Sequence, residues 1–186
     1  MNKTKLVNCF LSGRRKSISK YENQTEELQS KVLQKLIRQT IHTEWGQTHG
    51  FAQVNDYNSF TKTSPINTYE ELKGYIDRMR RGEKDVLWSG KVRWYAKSSG
   101  TTNDKSKFIP VSKECLQDTH YRGGTDAVAL YLGQNPRSRM FDGKALILGG
   151  SHSPNYNLPH SLVGDLSAIL IENVSPFVNH FRIPSK

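Results

Sequence analysis

Cysteine is nearly missing from this chain. Cys9 and Cys115 are the only two in 186 residues, far apart and with no Cys or His at ligand spacing beside either. That excludes a disulfide framework and argues against a zinc site, and two unpaired thiols fit a reducing, cytoplasmic setting. Long apolar runs are also missing: none approaches the ~18 residues a membrane-spanning helix needs, and Met1-Asn2-Lys3 leads into no signal-peptide core. No membrane partner is expected. Acidic residues are scarce, 17 Asp plus Glu against 27 Lys plus Arg, for a formal charge of +10. A balance of that sign suits an anionic partner, nucleic acid or nucleotide. The basic residues are scattered, however, clustering only at Arg14-Arg15-Lys16, at Arg78 to Arg81 and in a central loop. Charge alone does not decide between them.

Two familiar motifs are missing as well. The Walker pattern Gly-x-x-x-x-Gly-Lys-Ser/Thr does not occur, and Ser151-His152-Ser153 lacks the Gly-x-Ser-x-Gly frame of a nucleophile elbow. Neighbouring side chains on an extended chain point apart, so Ser151 and His152 do not read as a catalytic pair. There is no internal repeat and no low-complexity segment.

What is present centres on Ser98-Ser99-Gly100-Thr101-Thr102-Asn103-Asp104-Lys105-Ser106-Lys107-Phe108-Ile109-Pro110. The alternating, aromatic-rich run Val92 to Lys97 ahead of it predicts a strand. Behind it, Ser112 reads as the N-cap of a helix reaching about Leu132. Strand, then a loop of small hydroxyl residues with one glycine and two lysines, then helix can turn several N–H groups, hydroxyls and ammoniums onto one phosphate. The competing reading is a polar, hairpin-like connection whose Ser and Thr bond their own backbone.

Around this centre the elements follow from periodicity and caps. Residues 1–20 form a basic N-terminal segment short of periodic structure. Residues 21–82 read as mostly helical. Asn23 with Glu26 has a capping-box spacing, and Leu28, Val32, Leu33, Leu36, Ile37 and Ile41 make one apolar stripe on a helix ending near Trp45-Gly46. Gly50 to Pro65 reads as loop. Thr68-Tyr69-Glu70-Glu71 is a second box, followed by Leu72, Tyr75, Ile76 and Met79 at helical spacing, with Gly82 as the stop. Arg78, Arg80 and Arg81 are placed to reach a substrate phosphate, but the favoured reading is a solvated last turn complementing the helix dipole.

Residues 83–186 read as a strand–loop–helix region. Val86-Leu87-Trp88 and Val92 to Lys97 are expected to pair across Ser89-Gly90. Gly123-Gly124 inside the post-loop helix suggests a kink or a close neighbour. Lys144 to Gly150 reads as a buried strand, and Asp165 to Asn173 as an amphipathic helix. The fold class is therefore mixed α/β.

The run Ser98-Ser99-Gly100-Thr101-Thr102, with Lys107 and Pro110, resembles the first nucleotide-binding motif of the acyl acid–amido synthetases of the auxin-responsive promoter family, within the luciferase-like acyl-adenylate-forming superfamily. Thr43-Glu44-Trp45-Gly46, Pro65 to Glu70, Val86 to Gly90 and Gly149-Gly150-Ser151-His152 are similar to its bacterial members, so the likeness runs from about residue 8 to the end. Asp104 stands where many plant members carry glycine. The resemblance implies ligase chemistry: ATP with Mg2+ activates a carboxylic acid, and the acyl group passes to an amine or amino acid. It implies phosphate contacts from Ser98, Ser99, Gly100, Thr101, Thr102, Lys105 and Lys107, with Lys107 the catalytic charge. It also places the acyl pocket along the post-loop helix, with His120 and Arg122 as candidates for the acid's carboxylate. No dedicated metal cage is expected.

The family's second and third nucleotide motifs and its mobile C-terminal domain have no counterpart here, so the chain is expected to be an N-terminal part of such an enzyme. Two other readings remain open, a basic nucleic-acid-binding module and a fragment inactive by itself.

Overall fold

The computed structural model describes residues 3–98 and 106–184. The first helix, α1 (Lys3–Ile18), occupies the segment expected to be irregular and lies against the helix that follows the central loop. Its weak apolar pattern is replaced by polar anchors. Arg14 grips Asp126 through Nε and Nη2 at 2.5 and 2.7 Å, and Thr4 donates to Asp142.

A short α2 (Lys20–Asn23) leads into α3 (Thr25–Thr40). The Asn23–Glu26 box does not form. Asn23 belongs to α2, and Gln24 begins α3 without a side-chain cap. Nor does α3 run on to Gly46. Thr43 breaks it with an extended backbone and starts α4 (Glu44–Thr48), its hydroxyl accepting from Gly46 N at 3.0 Å. The stretch read as loop holds α5 (Tyr57–Thr63), capped by Asp56 and Ser59 in a reciprocal box that a Glu/Gln rule overlooks. Ile37, Phe51 and Val54 form a satellite core beneath these helices.

Helix α6 (Tyr69–Arg80) forms as expected, with the Thr68–Glu71 box in place and Gly82 (φ 96°) just beyond its end. Gly82 is needed there twice over, because a Cβ would also meet the His160 ring at 2.7 Å. Val86 to Trp88 is not a strand. Asp85 and Gly90 instead close a loop on themselves, with Gly90 N donating to Asp85 Oδ1 at 2.6 Å.

The central sheet is built from β1 (Trp94–Lys97), β2 (Phe108–Val111) and, much later, β4 (Leu162–Gly164), in the order β2-β1-β4. β1 is antiparallel to β2 and parallel to β4. Thus the hairpin is formed by the strands on either side of the central loop, not by the pair expected across Ser89-Gly90. Pro110 is tolerated because β2 is an edge strand. Alternation along β1 divides the core. Tyr95 packs with Ile76, Met79, Val86, Val92 and Val163 under α6, while Ala96 packs with Val111, Leu116 and Ile169 on the other face.

After β2, Ser112 caps as predicted, accepting from Cys115 N at 3.1 Å. Cys115–Tyr121 is a π-helical segment, and α7 (Arg122–Gln134) continues it. Gly123 and Gly124 have open space around them. The irregularity expected at that pair lies just before it, in the π turn, and no neighbour approaches. A two-residue β3 (Ala145–Leu146) pairs in parallel with β5 (Arg182–Ile183). Here the buried-strand expectation fails, since Leu146 is 69% and Leu148 82% exposed. Between these strands, α8 (Leu166–Asn173) buries Ala168 and Ile169, and α9 (Pro176–His180) is capped by Ser175.

Candidate functional site

β1 and β2 hold the central loop as a clasp. Lys97 pairs with Phe108, and Ser98 N donates to Lys107 O at 3.0 Å across the neck. Ser99, Gly100, Thr101, Thr102 and Lys105 lie outside the described residues. Ser98 and Lys107 flank the neck.

The neck is ringed by cations seated on aromatic faces. Lys107 Nζ stands 5.5 Å from the Tyr69 ring centroid, and Tyr69 Oη accepts from Phe108 N at 2.9 Å, tying the start of α6 to β2. Lys97 Nζ lies 4.4 Å from the Tyr156 ring. The Arg80 guanidinium sits 3.8 Å from the Phe108 ring and donates to Tyr156 O at 2.7 Å. Among the described residues, no carboxylate pairs with Lys97, Lys107 or Arg80. Among the described residues the positive charge at the neck is therefore not compensated by acid groups, which favours an anion. Aromatic faces hold these cations without neutralising them.

Arg80 corrects the solvated-turn reading of 78–81. It is buried, whereas Arg78 is engaged by Glu44 and Glu83. That guanidinium holds both carboxyls below the usual range. With Arg14 also committed to Asp126, the basic clusters outside the central loop have much of their charge spent within the fold. Sequence reasoning passed over Tyr69, Lys97 and Tyr156, and it set Arg80 aside as part of a solvated face. Arg80 had a signal, since it continues the Leu72–Ile76 stripe at i+4. Tyr156 arrives from a turn of Pro154–Tyr156 and had none.

A second feature forms where parallel β1 and β4 end, the usual edge for sites on such strands. Asp165 N donates to Ser151 O at 2.9 Å, and Ser151 N donates in return to the Asp165 carboxylate Oδ2 at 2.9 Å. A Cβ on Gly150 would collide with that carboxylate, so the glycine is obligatory. His152 stacks obliquely on Trp94 at 5.6 Å.

His120 and Arg122 do not come together. His120 lines a cleft of about 260 Å³ walled by Tyr121, Ile147, Leu170, Val174 and Val178, with buried Arg182 in its wall. Arg182 is fixed by donation from Nε to Asn179 Oδ1 at 2.6 Å. Tyr121 donates to Leu170 O at 2.8 Å, and burial raises its hydroxyl pKa. Arg122 lines a different, larger cleft. Among the described residues no group of three or more His, Cys, Asp or Glu is placed to hold a metal ion, and no helix is long and apolar enough to cross a membrane.

Comparison with known proteins gives concordant matches. Residues 14–181 match the family model described as GH3 family N-terminal domain. A jasmonoyl–L-amino acid synthetase, JAR6 of Nicotiana attenuata, is 32% identical over 108 residues, 56% of this chain and 19% of that protein. An indole-3-acetic acid-amido synthetase, GH3.15 of Arabidopsis thaliana, is 32% identical over 93 residues, 50% of this chain and 16% of that protein. The matched part thus spans under a fifth of these relatives' length. In three dimensions the chain resembles a solved GH3.15 acyl acid amido synthetase with TM-score 0.68 and 24% identity, over 84% of this chain and 28% of that one. The shared fold is that enzyme's mixed helix-and-strand architecture.

Proposed function

The chain belongs to the GH3 family, and from that premise we propose that it carries the phosphate-binding end of an ATP-dependent acyl acid–amido synthetase. The observation that supports this most is the cationic neck. A loop of Ser, Thr and Gly is clasped between β1 and β2, with Lys97 and Lys107 free of carboxylates among the described residues. In the reaction, the acid's carboxylate oxygen attacks the α-phosphorus of ATP as pyrophosphate leaves, and an amine then takes the acyl carbon as AMP departs.

The chain's part is electrostatic. Lys107 offsets charge spreading over the phosphates, Lys105 assists, and the hydroxyls and N–H groups of Ser98, Ser99, Thr101 and Thr102 supply directed donors. Gly100 admits the phosphates close to the backbone. Arg80 holds the neck from beneath, and Tyr69 fixes the first residue of β2, directly after Lys107. Magnesium would be carried mainly by the nucleotide's phosphates, so this chain need supply no dedicated cage of carboxylates for it. The cleft lined by His120 and Arg182 suits a carboxylic acid with an apolar body, its carboxylate meeting one of these two groups. The amine or amino acid is the third reactant, and the cytoplasm, where thiols stay reduced, is the setting.

The test is the thermal shift of the 186-residue chain with Mg-ATP. A ligand at a hundredfold excess over Kd stabilises by about 2.7 kcal/mol, and each kcal/mol moves Tm by roughly 2–4 °C at this size. Lys107→Ala is expected to weaken the nucleotide at least tenfold and to shrink that shift. An equal shift in both proteins removes Lys107 from the site.

A further inference from the structure

Lys97 has no part in the loop chemistry, although its charge stands at the neck. It is the last residue of β1, one position before the Ser/Thr/Gly run begins. A lysine ammonium carries three donors and no acceptor. Among the described residues Lys97 makes no side-chain hydrogen bond or ion pair, and its one contact is the face of the Tyr156 ring. Lys97 is half-buried and Tyr156 is 43% exposed, so the ammonium remains open to solvent on its seat.

That seat is held from several directions. Lys97 and Phe108 are directly opposed in the ladder, so their side chains leave the same face of the hairpin. The Tyr156 ring meets both, 4.4 Å from Lys97 Nζ and 5.7 Å from the Phe108 ring. Arg80 closes the unit, its guanidinium 3.8 Å from the Phe108 ring and donating to Tyr156 O at 2.7 Å. Lys107 stands elsewhere. Its ammonium is 5.5 Å from the Tyr69 ring, and Tyr69 meets the outward-facing Phe108 N of an edge strand. The neck therefore offers ammoniums from two sides. A free lysine spreads its charge over many rotamers, and ordering it lowers affinity. A ring face that orders it beforehand removes part of that cost and leaves the charge intact.

We propose that Lys97 is a further phosphate-binding residue, that Tyr156 is its positioning residue, and that its ligand is the diphosphate end of the nucleotide. This rests on the nucleotide reading and adds to it a residue outside the Ser/Thr/Gly loop. Attraction grows with charge, so an ammonium without a carboxylate favours the groups that carry most of it. The diphosphate end of ATP carries more charge than the single phosphate of AMP. When the bond between the α- and β-phosphates breaks, that end becomes pyrophosphate, and Lys97 holds the leaving group rather than the adenylate.

The experiment is isothermal titration of the full chain with Mg-ATP, with pyrophosphate and with AMP. Lys97→Gln is expected to weaken Mg-ATP and pyrophosphate by about tenfold or more, the loss of one charge-assisted contact. AMP, bound more weakly or not at all, is expected to be unaffected. Lys97→Arg, which keeps the charge, should recover most of the loss. Tyr156→Leu, which removes the ring only, should weaken pyrophosphate by about two- to fivefold, and Tyr156→Phe should restore it. A merely structural role would move all ligands alike and lower Tm, which circular dichroism melts of each variant check. Pyrophosphate and Mg-ATP bound equally by Lys97→Gln and the parent overturn the assignment, while the nucleotide reading stands. AMP bound as tightly as Mg-ATP, or weakened equally by Lys97→Gln, overturns the diphosphate class. Parent-like affinity in Tyr156→Leu overturns the seat. A parent that binds none of the three overturns the nucleotide reading itself, and the role of Lys97 falls with it.

Discussion

Arg80 shows how much one side chain can carry. Its guanidinium sits over the Phe108 ring and donates to the Tyr156 carbonyl, and the residue is 8% exposed, with Nε lacking a hydrogen-bond partner among the described residues. Removing it deletes a buried stem and strands a carbonyl, two effects that add. Arg80→Ala is expected to cost about 2–4 kcal/mol, read as a lower denaturant midpoint at unchanged slope. Arg80→Lys should recover only part of this, because an ammonium keeps charge but not the planar stack. A loss within about 0.5 kcal/mol in Arg80→Ala would show that the neck is held by its backbone ladder alone. At this scale the sequence was legible where a residue's role is local. The Thr68 box, the Ser112 cap and the Gly82 stop all follow from chemistry within four positions. Arg80 and Tyr156 act across 76 residues, and no local pattern announces such a contact. For the candidate site, Ser98 and Lys107 were legible as flanks of a loop, while the aromatic seats beneath the cations were not.

Among elements, α1 and α7 make the clearest test. Their contact is an Arg14–Asp126 pair, partly buried and bidentate, where an apolar seam would be usual. The hydrogen bond from Arg14 holds the Asp126 carboxyl below its ordinary value. Its contribution is therefore complete above the unfolded carboxylate's pKa of ~3.9 and drains away as pH falls through the depressed folded value. Water still reaches the pair, so about 1 kcal/mol is at stake. Asp126→Asn is expected to remove that acid-side dependence and to speed amide exchange in Lys3–Ile18 without melting the sheet. Unaltered exchange in α1 would mean that Thr4 on Asp142, and Arg15 donating to Ala129 O at 3.3 Å, hold it by themselves.

The glycines divide in the same way. Gly123 and Gly124 face open space in a helix, so alanine at either should stabilise by roughly 0.5–1 kcal/mol. A Cβ at Gly46 would strike the Thr40 carbonyl, so alanine there should cost at least about 2 kcal/mol. Chemical denaturation of the three variants separates them, and a destabilising Gly123→Ala would contradict the open surroundings. Strongly periodic elements, α3, α6 and α8, were legible. Helix α1 was hidden because polar anchors replace its stripe, and β2 because Phe-Ile-Pro-Val is short and carries a proline that only an edge permits.

For the molecule as a whole, the informative feature is apolar surface with nothing over it. Parallel strands are normally covered on both faces, yet β3 and β5 form a two-stranded parallel sheet whose Leu146 and Ile183 are 69% and 50% exposed, with Leu148 beside them at 82%. An apolar run read from sequence as a buried strand is thus a strand without a cover among the described residues, which explains why hydropathy misplaced it. Such a surface recruits hydrophobic dyes and other copies of the chain. The chain is expected to bind 1-anilinonaphthalene-8-sulfonate in its native state and to self-associate as concentration rises. Leu146→Ser with Leu148→Ser should reduce both while moving the denaturation midpoint little, because surface substitutions usually stay within about 0.5 kcal/mol. Dye fluorescence and sedimentation on the same samples decide it. If the double variant keeps full dye binding, the dye sits elsewhere, and the larger cleft, lined by Leu36 and Trp88, becomes its address; adding Leu36→Glu would then extinguish it. A large loss of stability would instead mean that these leucines are already packed in solution, and that β3 and β5 find their cover within the chain.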